Sequence, residues 1–235
     1  MMRLMEIVYG FTGSWGLAII TLTLIVRLML HPLTQKQMAS MQKMQKLQPR
    51  IKMLQEKYKN DKEKLNQKLM ELYKEHNYNP ASGCLPALIQ MPILFALFYV
   101  IQNPVKYVFK DANIYAGIAK NFWWLLDLGK PEMQATMIKV AGFGVPILAV
   151  LSAATTYYQM KMISAPKQKT EKGKADTAAQ TQNMMTNIMP IMFGWITLNV
   201  PSGLALYWVA GNIFTIIQQY FMIKPKPQAA KKEEE

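Results

Sequence analysis

The sequence predicts an all-α polytopic membrane protein with five transmembrane helices and a cytoplasmic antiparallel helical hairpin. Of its 235 residues, 51% are hydrophobic and only 17% are charged, yet the net charge is +13. These averages combine two kinds of segment, because apolar blocks with almost no charge alternate with strongly basic segments. Five blocks, of which the fourth is short, have about the length needed to cross a bilayer as helices. They are residues 16–33, 84–103, 139–160, 184–199 and 203–223.

The first block, Gly16 to Leu33, contains one arginine in an apolar run of 18 residues, enough for a helix of roughly 27 Å. Arg27 comes four residues after Thr23 and four before His31, so the three polar side chains share one helix face. An arginine near the middle of a span costs about 2.5 to 3.5 kcal/mol to insert, and such residues usually face protein or a water-filled cavity. The alternative is that Arg27, close to the end of the block, extends its guanidinium to the lipid headgroups.

The distribution of basic residues predicts the orientation. Segments 34–83, 161–183 and 224–235 together contain 20 of the 27 Lys and Arg residues, whereas segment 104–138 has four Lys and three acidic residues. By the positive-inside rule the first three segments are cytoplasmic, which places the N-terminus outside and the C-terminus inside the cell. Topology therefore accounts for the basic charge, although such a surface could also contact anionic lipid or ribosomal RNA.

The N-terminal residues 1–15 are predicted to form an extracytoplasmic interfacial segment that places Trp15 at the headgroups. They lack the charged start, apolar core and cleavage site of a signal peptide, and they contain no cysteine for lipidation. The chain has one cysteine, Cys84, and two histidines in different segments, His31 and His76. We therefore expect no intrachain disulfide, no metal site and no cofactor.

Segment 34–83 is rich in Lys and Gln and repeats apolar residues at helical spacing, which predicts the cytoplasmic helical hairpin. One seam consists of Met44, Leu47, Ile51 and Leu54, and the other of Leu65, Leu69, Leu72 and Tyr73. Asn60 and Glu63 have the spacing of an N-cap box at the start of the second helix. Pro49 predicts a kink or a restart in the first helix. The seams join the two arms, and the outward faces are candidates for contact with clients or anionic lipid.

The second span, 84–103, contains Pro92 and is expected to bend there. It leads into the extracytoplasmic loop 104–138, whose stretch from Phe122 to Leu128 is aromatic and suits a membrane interface.

Two further spans contain polar side chains at helical spacing. In 139–160 these are Ser152, Thr155, Thr156 and Gln159, and in 203–223 they are Tyr207, Trp208, Gly211, Asn212, Thr215 and Gln218. For any single residue, hydrogen bonding between helices is the simpler explanation. Three polar stripes together with Arg27 favour a hydrated cavity, because a buried guanidinium needs water or polar groups around it.

The remaining segments connect or follow these spans. Segment 161–183 has no apolar periodicity and is expected to be a flexible cytoplasmic loop. The short fourth span, 184–199, is rich in Met, a polarizable side chain that suits varied apolar partners or ordinary lipid contact. The tail 224–235 is rich in charge and proline and is predicted to be a disordered cytoplasmic tail.

Three stretches, in this order, resemble the YidC membrane protein insertases of bacteria and the related Oxa-type insertases. They read VRLMLHPLTQKQMASMQKMQKLQP, NPASGCLPALIQMPILFALFYV and PSGLALYWVAGNIFTIIQQY. The resemblance extends from about Gly16 to Phe221 and is specific in combination, although none of the stretches is a catalytic motif. The chain has no large extracytoplasmic domain, as in the shorter members from Gram-positive bacteria, and its short tail argues against strong ribosome binding through the tail.

The resemblance implies a five-helix core with a hydrophilic groove that is open to the cytoplasm and the lipid and closed on the outside. Arg27 matches the arginine of this groove, and the matching groove positions are Thr23, Gln159, Tyr207 and Trp208. The partners implied are nascent membrane proteins, membrane lipid and, as alternatives left open, the Sec translocon and the ribosome. The resemblance also implies a bacterial cell membrane as the location, and we expect the protein to work as a monomer.

The sequence therefore favours a membrane protein insertase and chaperone that is not an enzyme. No G-x-x-x-x-G-K-[ST] motif occurs, so insertion without nucleotide hydrolysis is expected. One alternative is a small anion transporter or channel with Arg27 as its anion-binding residue, against which the spans show no inverted repeat. Another is an intramembrane enzyme, against which neither H-E-x-x-H nor G-x-S-x-G occurs.

Overall fold

A computed structural model describes residues 2–79, 85–109, 111–163 and 177–223, and these are mostly helical. Residues 80–84, which include Cys84, most of the predicted loop 161–183, and the predicted tail 224–235 lie outside the described residues. The elements are α1 (Met2–Thr12), α2 (Trp15–Met29), α3 (His31–Lys57), α4 (Lys62–Glu75), α5 (Leu85–Gln102), a π-helical segment (Val105–Phe109), α6 (Ala112–Ala116), α7 (Glu132–Ala135), β1 (Lys139–Val140), β2 (Phe143–Gly144), α8 (Ile147–Ile163), α9 (Thr177–Asn199) and α10 (Ser202–Ile223).

The first predicted span, 16–33, ends four residues early. Helix α2 stops at Met29, and the chain bends by 63° into α3. Pro32 lies in the first turn of α3, where a backbone N–H has no partner within the helix and its absence costs nothing. In a continuous helix formed by α2 and α3, Pro32 would be an interior residue, and one backbone hydrogen bond would be lost. In the part of the chain that the structure describes, α2 and α3 pass a test for a membrane span by length and composition only as this bent pair, and no single helix passes it alone.

Helices α3 and α4 pack against each other through the predicted apolar seams. Leu47, Ile51 and Leu72 are buried, and Met44, Leu54, Leu69, Tyr73 and Tyr78 pack around them. Leu65 was predicted in the second seam but is not part of this cluster. The rings of Tyr73 and Tyr78 meet edge to face at 5.3 Å, and burial raises the pKa of both phenols. The helical hairpin is therefore held by one small apolar cluster.

In this hairpin the predicted cap box is wrong, and of the two effects predicted for Pro49 the restart is wrong while the kink stays a prediction. The N-cap of α4 is Asp61, whose carboxylate accepts a hydrogen bond from the backbone N–H of Lys64 at 2.9 Å, so Asn60 and Glu63 do not form the cap box. A carboxylate suits this position because it also interacts with the positive end of the helix dipole. Helix α3 continues without a restart through Pro49, since Leu47 and Ile51 on either side of it are both anchored in the seam.

The third predicted span, 139–160, begins eight residues late, at Ile147. The residues before it form a β-hairpin in which Val140 pairs with Phe143. The two turn residues, Ala141 and Gly142, both have positive φ, at 51° and 85°. This is the geometry of the two-residue turns that match the twist of a β-hairpin, and it ends any helix at this point.

The predicted loop 161–183 is shorter than expected, because α8 extends to Ile163 and α9 begins at Thr177, seven residues before the predicted span 184–199. Alanine and glutamine dominate residues 177–183 and favour helix even without apolar periodicity. Helices α5 and α10 have the bounds of the second and fifth predicted spans, 84–103 and 203–223, to within one residue at each end, and their crossing of a membrane stays a prediction.

The main apolar core lies where α1, α2, α5, α10 and the loop after α5 meet. Its completely buried side chains include Trp15, Ile19, Leu97, Ile101 and Leu128. Helix α10 is central, since it packs against α2 on one side and α8 on the other, while α8 also packs along α9.

Candidate functional site

Helices α2 and α10 lie side by side and run in the same direction. A Cβ at Gly203 would contact Ile19, a Cβ at Gly211 would contact Arg27, and the Gln218 amide meets the His31 ring just beyond α2. In these three pairs the residue numbers increase in the same order on both sides, which shows that the helices are parallel. The polar residues of α2 and α10 predicted from sequence are therefore at matching heights.

Arg27 is half-buried between α2 and α10. A Cβ on Gly211 would come within 2.8 Å of its Nη2 atom and 3.2 Å of its Nε atom, so the guanidinium occupies the space above the backbone of α10. The ion pairs of the described residues do not include Arg27. Among the described residues, a positive charge without a carboxylate partner is thus present in a mainly apolar bundle. Such a charge is costly, and in membrane helices it usually marks a functional site.

Tyr207 lies near this charge. The side chain is only 3% exposed, and its hydroxyl accepts a hydrogen bond from Nε2 of Gln90 on α5 at 2.6 Å. Tyr207 therefore connects α10 to α5 beside Arg27. Gln90 was missed by the sequence analysis, although an amide in the apolar second block was a signal that could have identified it.

Thr23, one turn before Arg27 on α2, is completely buried. Its hydroxyl donates to the carbonyl oxygen of Ile19 in the same helix at 2.7 Å. Thr23 therefore lies one helical turn from Arg27, but its hydroxyl forms its hydrogen bond within α2.

The polar stripes of α8 and α10 meet each other. Nδ2 of Asn212 donates to the hydroxyl oxygens of Thr155 at 3.1 Å and Thr156 at 2.9 Å. Ser152, one turn earlier on α8, is completely buried, and within the described residues its hydroxyl has no hydrogen-bond partner. The seam between α8 and α10 is thus polar where Asn212 meets Thr155 and Thr156.

Gln159 and Trp208 are both half-buried, and the contacts described for them do not include Arg27. Gln159 follows Thr155 and Thr156 by one turn on α8, which packs against α10. Trp208 packs on Phe193 of α9 with ring centroids 4.3 Å apart. The structure brings Arg27 and Tyr207 together, and it places Gln159 and Trp208 on the side of α8 and α9.

His31, the third polar residue of the predicted Arg27 stripe, lies beyond the bend at the start of α3. Its two ring nitrogens are within hydrogen-bond distance of the side-chain amides of Gln218 on α10 and Gln35 on α3. The histidine therefore ties the base of the helical hairpin to α10. In the described ranges no three His, Cys, Asp or Glu side chains are grouped as metal ligands would be.

Comparison with known proteins agrees with this architecture. A family model described as 60Kd inner membrane protein matches residues 7–230. The chain is 42% identical to the membrane protein insertase YidC of Clostridium perfringens, over 97% of this chain and 87% of the relative. It is 39% identical to the protein of the same name from Fusobacterium nucleatum, over 91% of this chain and 88% of the relative.

Other relatives are longer. The chain is 39% identical to the membrane protein insertase YidC of Syntrophobacter fumaroxidans but spans only 35% of its length. A solved structure of an active YidC insertase with its first transmembrane domain resolved is similar with a TM-score of 0.63 and 30% identity, over 91% of this chain and 43% of that chain. These matches confirm the resemblance inferred from the sequence, and the chain belongs to the 60Kd inner membrane protein family, as a membrane protein related to the YidC insertases.

Proposed function

We propose that this chain is a membrane protein insertase and chaperone that inserts nascent membrane proteins and helps them fold. The observation that carries the proposal is Arg27, a half-buried positive charge that has no carboxylate partner among the described residues. A client segment with acidic residues would supply the missing negative charge during its passage. The name shared by the relatives, membrane protein insertase, supports the same assignment.

The physical problem is to move a polar client segment across hydrocarbon. Each acidic residue costs about 2.5 kcal/mol or more at the centre of a bilayer. In the proposed mechanism a hydrophilic groove around Arg27, with Thr23, Gln159, Tyr207 and Trp208 on its helices, shortens the apolar path. A carboxylate about 4 Å from the guanidinium gains roughly 4 kcal/mol at an effective dielectric of 20. The client's apolar segment then partitions into lipid, so no nucleotide hydrolysis is required.

The proposed topology has five spans, α2, α5, α8, α9 and α10, with the N-terminus outside and the C-terminus in the cytoplasm. The parallel packing of α2 and α10 supports it, since the first and fifth of five spans must cross in the same direction. The hairpin of α3 and α4, rich in lysine, would then be cytoplasmic. We infer that the protein acts as a monomer, with the Sec translocon and the ribosome as candidate partners.

Purified protein in liposomes provides the test. We expect it to insert a small single-span client without any nucleotide, with the client's outer segment protected from protease. Liposomes without the protein give the background. If protection does not exceed that background, while the liposomes show saturable flux of a small anion that is lost in Arg27→Ala, the protein is a transporter and the insertase proposal is wrong.

A further inference from the structure

The bend between α2 and α3 is very short, because Leu30 is the one residue between the two helices, which meet at 63°. Backbone hydrogen bonds continue across it. The N–H of Leu30 donates to the carbonyl oxygen of Val26 at 3.0 Å, and the N–H of Thr34 donates to that of Leu30 at 2.9 Å. Pro32 explains why the helix bends here, but its ring constrains only the local backbone. The direction in which α3 leaves the bundle therefore depends on side-chain contacts as well.

His31, the first residue of α3, makes a side-chain contact that joins the bend to α10. Its Nδ1 atom is within hydrogen-bond distance of the amide nitrogen of Gln218, and its Nε2 atom lies 2.8 Å from the amide nitrogen of Gln35, one turn further along α3. A neutral imidazole has one donor and one acceptor nitrogen, and a side-chain amide can present either its N–H₂ group or its oxygen. Both contacts can therefore be hydrogen bonds at once.

The two contacts of His31 differ in burial. Gln218 is only 7% exposed, and its amide oxygen has no hydrogen-bond partner among the described residues. Gln35 is exposed. Losing the partner of a buried amide costs the free energy of its desolvation, whereas an exposed amide can bond to water instead. The contact with Gln218 is therefore the one that stabilises the bend, and water can replace the contact with Gln35.

The contact with Gln218 lies on the face of α10 that holds the positive charge. Gly211, Thr215 and Gln218 are spaced so that they share one face of this helix. The Arg27 guanidinium lies against Gly211, and His31 meets the same face two turns further along. In the proposed topology His31 is on the cytoplasmic side of Arg27, from which a client would arrive.

We propose that His31 is a positioning residue for insertion, which acts through Gln218 to fix the angle of the helical hairpin at the cytoplasmic end of the groove around Arg27. This inference rests on the proposed function, since it concerns the path by which a client reaches Arg27. Helix α3 has 27 residues and is about 40 Å long, so a change of about 10° at the bend would move its far end by about 7 Å. A small loss of order at His31 is thus a large change in the position of the basic hairpin.

Two substitutions of His31 separate its two contacts. Asparagine has a polar atom near the place of Nδ1, and glutamine has one near the place of Nε2. His31→Asn should therefore keep the contact with Gln218 and the hairpin angle of the parent protein. His31→Gln should keep only the contact with Gln35 and release the angle. Gln35→Ala, which removes the contact that water can replace, is the matched control and should have no effect.

The hairpin angle can be measured as a distance between two spin labels in nanodiscs. Lys59→Cys, at an exposed position between α3 and α4, and Val150→Cys, at an exposed position on α8, provide the labelling sites in a Cys84→Ser background. His31→Asn and Gln35→Ala should leave the distance distribution unchanged. In His31→Gln the fraction of molecules at other distances should rise by about fivefold, as expected for the loss of one hydrogen bond.

Insertion of a single-span client, measured by protease protection, links the angle to function. It should fall in His31→Gln and in Gln218→Leu, and it should fall no further when the two are combined, because both remove the same contact. His31→Asn should insert as the parent protein does. Losses that add in the double variant would show that His31 does not act through Gln218.

The outcomes separate this inference from the proposed function. An unchanged distance distribution in His31→Gln would overturn the positioning role, whether or not the protein inserts clients. A displaced hairpin with unchanged insertion would overturn the part of His31 in insertion and leave the insertase proposal intact. If the parent protein inserts nothing above background while the distances change as expected, the insertase proposal fails and the support of the hairpin by His31 stands.

Discussion

The guanidinium of Arg27 lies against the backbone of Gly211, with Nη2 2.8 Å and Nε 3.2 Å from the place where a Cβ would be. Only a residue without a side chain leaves this space to the arginine. Gly211 therefore determines where the charge of α2 is held, although it has no functional group of its own.

Gly211→Ala should displace the guanidinium without damaging the fold. The atoms in conflict are the far end of a flexible side chain, and alanine raises helix propensity by about 1 kcal/mol over glycine. We expect insertion of an acidic client to fall, by less than in Arg27→Ala, while the melting temperature stays the same or rises. Gly10→Ala on α1, where a Cβ would meet nothing within 4 Å, is the matched control. Unchanged insertion in Gly211→Ala would show that the position of the charge is unimportant.

Arg27 should act through its charge rather than through guanidinium geometry. A client carboxylate would meet it briefly in a hydrated groove, where a point charge supplies most of the Coulomb energy. Arg27→Lys should therefore retain insertion, Arg27→Ala should lose it, and Arg27→Glu should lose more. Protease protection in vesicles measures each variant.

Paired clients sharpen this test of Arg27. A client whose translocated Asp and Glu residues are replaced by Asn and Gln should insert almost as well into the Ala variant as into the parent protein. Equal defects for both clients would mean that Arg27 only hydrates the groove, and failure of the Lys variant would show that the guanidinium geometry matters.

Cysteine labelling can map the groove from the cytoplasmic side. In a background without Cys84, cysteines at Gln159 and Trp208 should react with a water-soluble thiol reagent, because both positions are half-buried. Cysteines at Thr23 and Tyr207 should react more slowly, since these side chains are 0% and 3% exposed. Leu24, an exposed apolar residue of α2, is the control expected to face lipid and should stay inert. Protection at all four positions would identify the polar stripes as ordinary helix contacts.

The sequence predicted contacts that follow from periodicity. The seam of α3 and α4 was found because apolar residues at helical spacing can be buried only on one face, and Leu47, Ile51 and Leu72 are indeed buried. The β-hairpin before α8 was not predicted, since Val140 and Phe143 are apolar and would fit a transmembrane helix equally well. Only Gly142 marks the turn in the sequence.

Contacts between residues that are far apart in the chain could not be predicted from the sequence. Arg27 and Tyr207 were both predicted as site residues, but Gln90, which bonds to Tyr207, is 117 positions away from it. Glu132 was counted only as one of three acidic residues in a loop, although it is completely buried at the start of α8. In both cases the partner is a polar group that only tertiary packing brings close.

The hairpin of α3 and α4 should be more mobile than the other helices. Its seam buries only three apolar side chains, which provides little resistance to local opening. Hydrogen exchange in detergent or nanodiscs should therefore be faster in α4 and in the second half of α3 than in α2 and α10. Equally slow exchange in all four helices would contradict this expectation.

The start of α4 offers a test that distinguishes two adjacent residues. Asp61 accepts the hydrogen bond from the N–H of Lys64, whereas Asn60 does not cap the helix. Asp61→Ala should destabilise the first turn of α4 by about 1 kcal/mol, the usual cost of losing an N-cap, and Asn60→Ala should cost much less. Hydrogen exchange of Lys64 and Leu65 should accelerate about fivefold in the first variant only, as expected for that free energy. Because the rest of the seam is untouched, exchange in α3 should be the same in both variants, and a larger effect of Asn60→Ala would restore Asn60 as the cap.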